Sequence, residues 1–253
     1  MSPAEFESRL VSRLDGLAGD GQSIDFWWRD DDAVEPTADL DRLIAIAERH
    51  AVPVALAVIP EPARPELGQR LSDAPGGIVV FQHGFVHRNH APKGEKAAEL
   101  GAHRAADTVL GELRSGNDKL TELFGERFLP VLTPPWNRVG DEVAARRGEA
   151  GLTWLSTFAR MHAGDDACVN THVDVIDWKG SRGFAGFDKM SRVLDEELER
   201  RVAGDRSPIG LLTHHLAHDE GVWSFLDCFL SLAATHPAAS WPALADLFGG
   251  EGA

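Results

Sequence analysis

Cysteine is scarce in this 253-residue sequence: Cys168 and Cys228 are the two present, with no paired spacing. That argues against a disulfide framework and fits a reducing compartment. Long apolar runs are missing as well. No stretch approaches the roughly 18 apolar residues of a membrane span. The opening MSPAEFESRLVSRLDGL has early acidic residues and no apolar run of leader length, so a cytoplasmic protein is expected. There is no internal repeat and no low-complexity linker. Positive charge is outnumbered, with 25 Lys and Arg against 40 Asp and Glu, a formal net charge of −15. Such a surface repels nucleic acid and anionic membranes, and a neutral or cationic substrate is compatible with it. The oligomeric state is not legible.

The composition is that of a globular protein, with 43% hydrophobic and 26% charged residues. The length suits one large α/β domain or two small ones; the expectation is one domain over 1–253 with its motif-bearing core at about 24–220. Strands are expected at Ile24–Trp28, Val54–Ile59, Ile78–Gln82, Phe128–Leu132, Thr153–Thr157, Val173–Ile176 and Ile209–Thr213. Between them, Pro36 and Thr37 open a helix with Leu40, Leu43, Ile44 and Ala47 on one face. Residues 95–124 read as a helix broken near Gly101 or Gly116. Asp141–Ala150, Lys189–Val202, Val222–Ala233 and Pro242–Phe248 read as further helices. The alternation implies a parallel α/β sheet, open or closed into a barrel. Candidate chemistry falls just after the strands, where such folds carry their sites.

Asp30-Asp31-Asp32 places three repelling carboxylates at a strand end, where a cation would compensate them; one as a metal ligand beside a general base is the functional reading, a solvated acidic turn the bland one. His83 and His87 are four apart and share a face if helical, close enough for one divalent ion. Two imidazoles and one carboxylate leave coordination positions open for water. In Thr133-Pro134-Pro135-Trp136-Asn137-Arg138 the prolines fix the backbone. The amide of Trp136 could then face an oxyanion, and its ring could wall a sugar. Asn137 and Trp178 are further candidates for substrate binding. His214, at a strand end beside His215, can protonate a leaving amine, with Asp177 or Asp174 holding its charge. Each of these histidines alone is as readily structural.

In this order Asp-Asp, His-x-x-x-His, Pro-Pro-aromatic, Asp-x-x-Asp-Trp and Leu-x-His resemble the five motifs of the polysaccharide deacetylases, the NodB-homology or family 4 carbohydrate esterases. The resemblance spans Trp27 to His214. It implies a distorted, TIM-barrel-like (β/α) barrel of about seven parallel strands and one divalent metal, zinc first, with cobalt, nickel or manganese as alternatives. It further implies hydrolysis of an N-acetyl or related acyl group on an amino sugar. By position, Asp31 matches the catalytic base, and Asp32, His83 and His87 the metal ligands. Trp136 matches the oxyanion amide, His214 the general acid, and Asp177 or Asp174 its tuning carboxylate.

The sequence also departs from the pattern, which suggests a divergent subgroup. Arg29-Asp30-Asp31-Asp32-Ala33 holds one aspartate too many, so Asp30 and Asp31 are an alternative pair to the preferred Asp31 and Asp32. Gly84 stands where serine or threonine is common, and Thr133 where an arginine braces the base; Arg29 or Arg138 could substitute for it. A C–N hydrolase of a small amide or ureide, and a non-catalytic carbohydrate-binding relative, are the rival readings.

Overall fold

The computed structural model describes residues 1–162 and 164–249. Its strands are β1 (Ile24–Ala33), β2 (Val54–Val58), β3 (Ile78–His83), β4 (Phe128–Thr133), β5 (Trp154–Leu155), β6 (Val173–Asp174), β7 (Ile209–Thr213) and β8 (Ala239–Ser240). Its helices are α1 (Pro3–Gly19), α2 (Ala38–Arg49), α3 (Pro65–Ser72), α4 (Ala106–Phe124), α5 (Asp141–Arg146), α6 (Phe187–Val202), α7 (Glu220–Ala233) and α8 (Leu244–Leu247). The class is α/β, and β1 to β7 are the seven parallel strands that the alternation implied. None of the helices among the described residues is long and apolar enough to cross a membrane.

Internal packing divides the chain into two compact units. The first holds Met1–Asp30, Thr37–Val54 and Thr171–Leu244; the second holds Asp31–Pro36, Ala55–Asn170 and the chain from Ala245. The division passes through β1, between Asp30 and Asp31.

In the first unit β7 lies between β1 and β6, and β8 adds to the start of β1, all in parallel. The register sets Trp28 opposite Leu211 and Asp30 opposite Thr213. Helix α1 was not anticipated, although its signals are in the sequence. Ser2 and Glu5 form a reciprocal capping box, Pro3 opens the first turn, and Phe6, Leu10, Leu14 and Leu17 form a buried stripe. Phe6 packs on Phe187 and Phe225, each with ring centroids 5.5 Å apart.

In the second unit the strand order is β5-β4-β3-β2. β2 reads Val-Ala-Leu-Ala-Val and is buried throughout, as a strand covered on both faces must be. The register of β3 on β4 puts His83 opposite Thr133. Leu110, Leu113, Leu132, Leu152 and Leu155 are part of its core.

Two expectations need correction. Residues 95–105 are not helical, because α4 starts at Ala106; the segment from Gly84 to Ala105 is irregular. Nor does Gly116 break α4. It is buried inside that helix, where a Cβ would lie 2.5 Å from Gln82 Nε2 and 2.9 Å from Pro60 Cγ. The glycine therefore serves close packing. The Gln82 amide cannot easily yield, since Nε2 donates to the carbonyls of Gly84 and Leu113 at 3.0 and 2.9 Å. Gly116→Val should cost about 1–3 kcal/mol by overpacking, read as a lowered midpoint in urea unfolding; an unchanged midpoint would refute the close-packing role.

Candidate functional site

In the second unit, the end of β1 carries Asp31 and Asp32, and Asp32 takes the left-handed conformation at φ 75°. His83 ends β3, and its Nδ1 donates to the Thr133 carbonyl at 3.0 Å. A carbonyl can only accept, so Nδ1 carries a proton, and a neutral ring in this tautomer offers its Nε2 lone pair to a metal. That Nε2 lies 3.1 Å from Asp32 Oδ1, and Nε2 of His87 lies 3.4 Å from the same oxygen. One ligand atom from each of Asp32, His83 and His87 falls within 4.8 Å of the others. A cation among these atoms would be favoured by the carboxylate charge and by the imidazole lone pairs. The donor set, two imidazoles and one carboxylate, fits a divalent metal with open positions. Burial holds the His87 imidazole below its usual range, with His83 pushing the same way and Asp32 opposing.

The histidine pair does not meet on a helix face, as the spacing alone would suggest. His87 sits in a tight loop at φ 57°, and Gly84 enters that loop at φ 57°. Gly84 N donates to the Thr133 carbonyl at 3.1 Å, and Glu61 N to the Phe85 carbonyl at 2.8 Å, so the loop turns back beside β4. The rings of His83 and His87 stand 5.2 Å apart, and Trp136 packs on His87 at 4.4 Å. After Pro134 and Pro135, Trp136 and Asn137 are both at φ 55°. Among the described residues eight non-glycine residues have positive φ, and Asp32, His87, Trp136 and Asn137 are four of them. Such strain persists where the surroundings impose it and concentrates at functional sites. Asp31 is buried at 2% exposure. Arg138 donates to the Ala97 carbonyl at 2.7 Å, which ties down the loop, and Arg29 is fully buried.

Glu99 was not singled out in the sequence. It is buried, and its carboxylate accepts from the amides of Phe85, Val86 and Arg88. Its stretch, Lys96-Ala-Ala-Glu99-Leu, reads as ordinary helix, and nothing in it marks the residue.

In the first unit, Asp30 is the centre of a buried network. Trp28 Nε1 donates to Thr213 Oγ1 at 2.8 Å, and that hydroxyl donates to Asp30 Oδ2 at 2.6 Å. The His215 amide donates to Oδ2 at 3.0 Å, and His215 Nδ1 pairs with Oδ1. Burial alone would raise the Asp30 carboxyl; His215 and the hydrogen bonds outweigh it and hold the pKa below its usual value. The triplet is thus divided, with Asp30 bonded to His215 and Asp32 beside the histidine pair.

Asp174 accepts from the Ile176 amide at 3.0 Å and from Trp178 Nε1 at 2.8 Å. Burial raises its pKa, while His214 and these two donors oppose the rise. His214 meets the Trp178 ring edge-on at 4.7 Å, and Trp178 is 40% exposed. Asp177 spends its carboxylate on its own turn, accepting from Gly180 N at 3.2 Å. Of the two carboxylates offered to His214, Asp174 is the one whose pKa the histidine influences. His218 packs edge-on against Trp223 at 4.3 Å, and burial lowers its pKa to about 4.

No protein-family model and no curated protein sequence matches the chain. Solved structures do. A Mycobacterium smegmatis protein assigned as a polysaccharide deacetylase aligns with TM-score 0.66 at 16% identity, over 90% of each chain. The Bc1960 peptidoglycan N-acetylglucosamine deacetylase aligns with TM-score 0.58 at 18% identity, over 90% of this chain and 92% of that one. A Bacillus anthracis pseudoenzyme of carbohydrate esterase family 4, BA3943, aligns with TM-score 0.53 at 15% identity, over 83% of this chain and 61% of that one. The chain therefore has the fold of the polysaccharide deacetylases. Within that fold it carries an Asp-His-His cluster able to hold a metal ion.

The buried pairs set a pH dependence. An unfolded His218 takes a proton near its usual 6.5, the folded one only near 4, so the stability it contributes is lost as pH falls between those values. Asp30, held low, adds a loss at pH still further below. His218→Leu should flatten the fall in unfolding free energy between pH 7 and 5, measured by urea titration. An unchanged slope would contradict this. Asp30→Ala, which strands His215 and Thr213, should cost about 3–5 kcal/mol in the same assay.

Proposed function

We propose that the protein is a metal-dependent hydrolase that removes an N-acetyl or related acyl group from an amino sugar. The observation that carries this reading is the Asp32, His83 and His87 cluster within a polysaccharide-deacetylase fold. Asp32, His83 and His87 would hold one divalent cation, zinc being the natural match to two imidazoles and a carboxylate. When bound, such a cation supplies Lewis acidity and makes water a better nucleophile at neutral pH.

The remaining roles rest on motif order along the chain. Asp31 adjoins the ligand Asp32 and accepts the proton of the attacking water. The Trp136 amide, set by two prolines and a left-handed backbone, donates to the oxyanion of the tetrahedral intermediate. His214 gives a proton to the departing nitrogen. Asp174 is the carboxylate that sustains its charge; it replaces Asp177 as the preferred partner because Asp177 closes its own turn. The register Asp31 and Asp32 is preferred over Asp30 and Asp31, since Asp30 is bonded to His215 and Thr213. The exposed face of Trp178 and the half-buried Trp136 offer surfaces on which a sugar ring can stack. A neutral or cationic amino sugar also suits the net charge of −15.

One structural neighbour is itself a pseudoenzyme, so turnover is the decisive readout. After loading with zinc, cobalt or nickel, the protein should release acetate from N-acetylglucosamine oligomers. Asp31→Asn should keep its metal and lose about 10²–10⁴-fold in kcat. His83→Ala should lose the metal itself, seen by elemental analysis of the dialysed protein. A metal-loaded wild type that releases no acetate from any N-acetyl sugar would overturn the substrate assignment, and a fully active Asp31→Asn would overturn the choice of base.

A further inference from the structure

We infer that Glu99 is a positioning residue for the His83–His87 loop, setting the affinity of the metal site without touching the metal. The inference rests on the metal reading of Asp32, His83 and His87. Glu99 is 1% exposed. Its Oε2 accepts from the Phe85 amide at 3.1 Å, and its Oε1 from the Val86 amide at 2.8 Å and the Arg88 amide at 3.4 Å. These donors bracket His87, whose backbone is held at φ 57°. Left to itself, a histidine would leave that conformation. Three amides converging on one carboxylate hold the chain in it, and they satisfy a buried acid that would otherwise be costly.

The neighbouring residues are shaped to admit the carboxylate. A Cβ on Gly84 would overlap Glu99 Oε2, and φ at Gly84 is +57°. Here the glycine that departs from the family pattern makes room for the glutamate. Glu99 is in turn anchored from both sides. Leu100 next to it is fully buried, and its carbonyl accepts from Gly140 N at 2.8 Å. On the other side Ala98 N donates to Asn89 Oδ1 at 3.0 Å, and His90 N to the Ala98 carbonyl at 2.9 Å. A rigid path therefore runs from the core through Leu100 and Glu99 to the backbone on either side of His87. Groups that orient ligands in this way typically change metal affinity about 10–100-fold when replaced.

The test uses zinc and the full chain. Zinc affinity is measured by competition with a chromophoric chelator for wild type and Glu99→Gln, alongside the thermal midpoint of each metal-free protein. Gln retains the length of the side chain and only one acceptor oxygen, so the expected result is a zinc Kd weakened about 10–100-fold with little change in the midpoint. Gly84→Ala, whose Cβ would meet both the Glu99 carboxylate and the Pro135 ring, should weaken binding in the same direction. Amide exchange in the metal-free wild type gives a check that needs no variant: Phe85 and Val86 should be protected before any zinc is added. Equal zinc affinity in wild type and Glu99→Gln would overturn the inference, as would Phe85 and Val86 amides exchanging at the rate of an unstructured peptide. A wild type that binds no zinc would instead remove the metal reading on which the inference rests, and the two failures are distinguishable.

Discussion

Asp32 Oδ1 lies 3.1 Å from Nε2 of His83 and 3.4 Å from Nε2 of His87, and the Thr133 carbonyl, accepting from Nδ1, turns Nε2 of the first ring toward it. These three atoms make up the donor set of a candidate divalent-metal site. Much of the second unit is arranged to impose this juxtaposition. The β3–β4 register sets His83 beside Thr133. A glycine-entered loop returns His87 to it, and Asp32 is turned out of extended geometry at the end of β1.

The first unit treats its acid in the opposite way. Asp30 is fully buried and surrounded by donors from Trp28 through Thr213, from the His215 amide and from the His215 ring. It needs no cation, because the protein supplies the compensation. Two positions on, Asp32 lies beside Nε2 of His83 and of His87 in a cluster able to hold a metal ion. This contrast, set by the strand register and a single change of backbone conformation, separates a buried aspartate held by protein donors from a candidate metal ligand within one acidic triplet.

The strands were legible because their chemistry is local. Val54–Val58 and Ile209–Thr213 are unbroken apolar runs, and each ends where polar residues begin. The metal cluster was legible because strand ends in parallel folds carry sites, and because the motif order supplied what single residues could not. The segment before α4 was misread for a physical reason. Lys96-Ala-Ala-Glu99-Leu has helix-forming composition, but Glu99 is captured by three backbone amides more than ten residues earlier, and that tertiary bond overrides propensity. Gly116 misled in the converse way, since a helix-breaking residue sits mid-helix where Gln82 and Pro60 approach too closely for a side chain. Nor could sequence apportion Asp30, Asp31 and Asp32, or choose between Asp174 and Asp177. Those choices depend on which amide or ring lies alongside each carboxylate.

The most direct measurement is anomalous diffraction at the zinc absorption edge from crystals of the protein grown with zinc. The expected map holds a peak bounded by the Asp32 carboxylate and Nε2 of His83 and His87, with coordination positions left for solvent. A zinc-soaked crystal with no peak among these three side chains, or with zinc bound only elsewhere, would contradict the metal centre and the hydrolytic chemistry built on it.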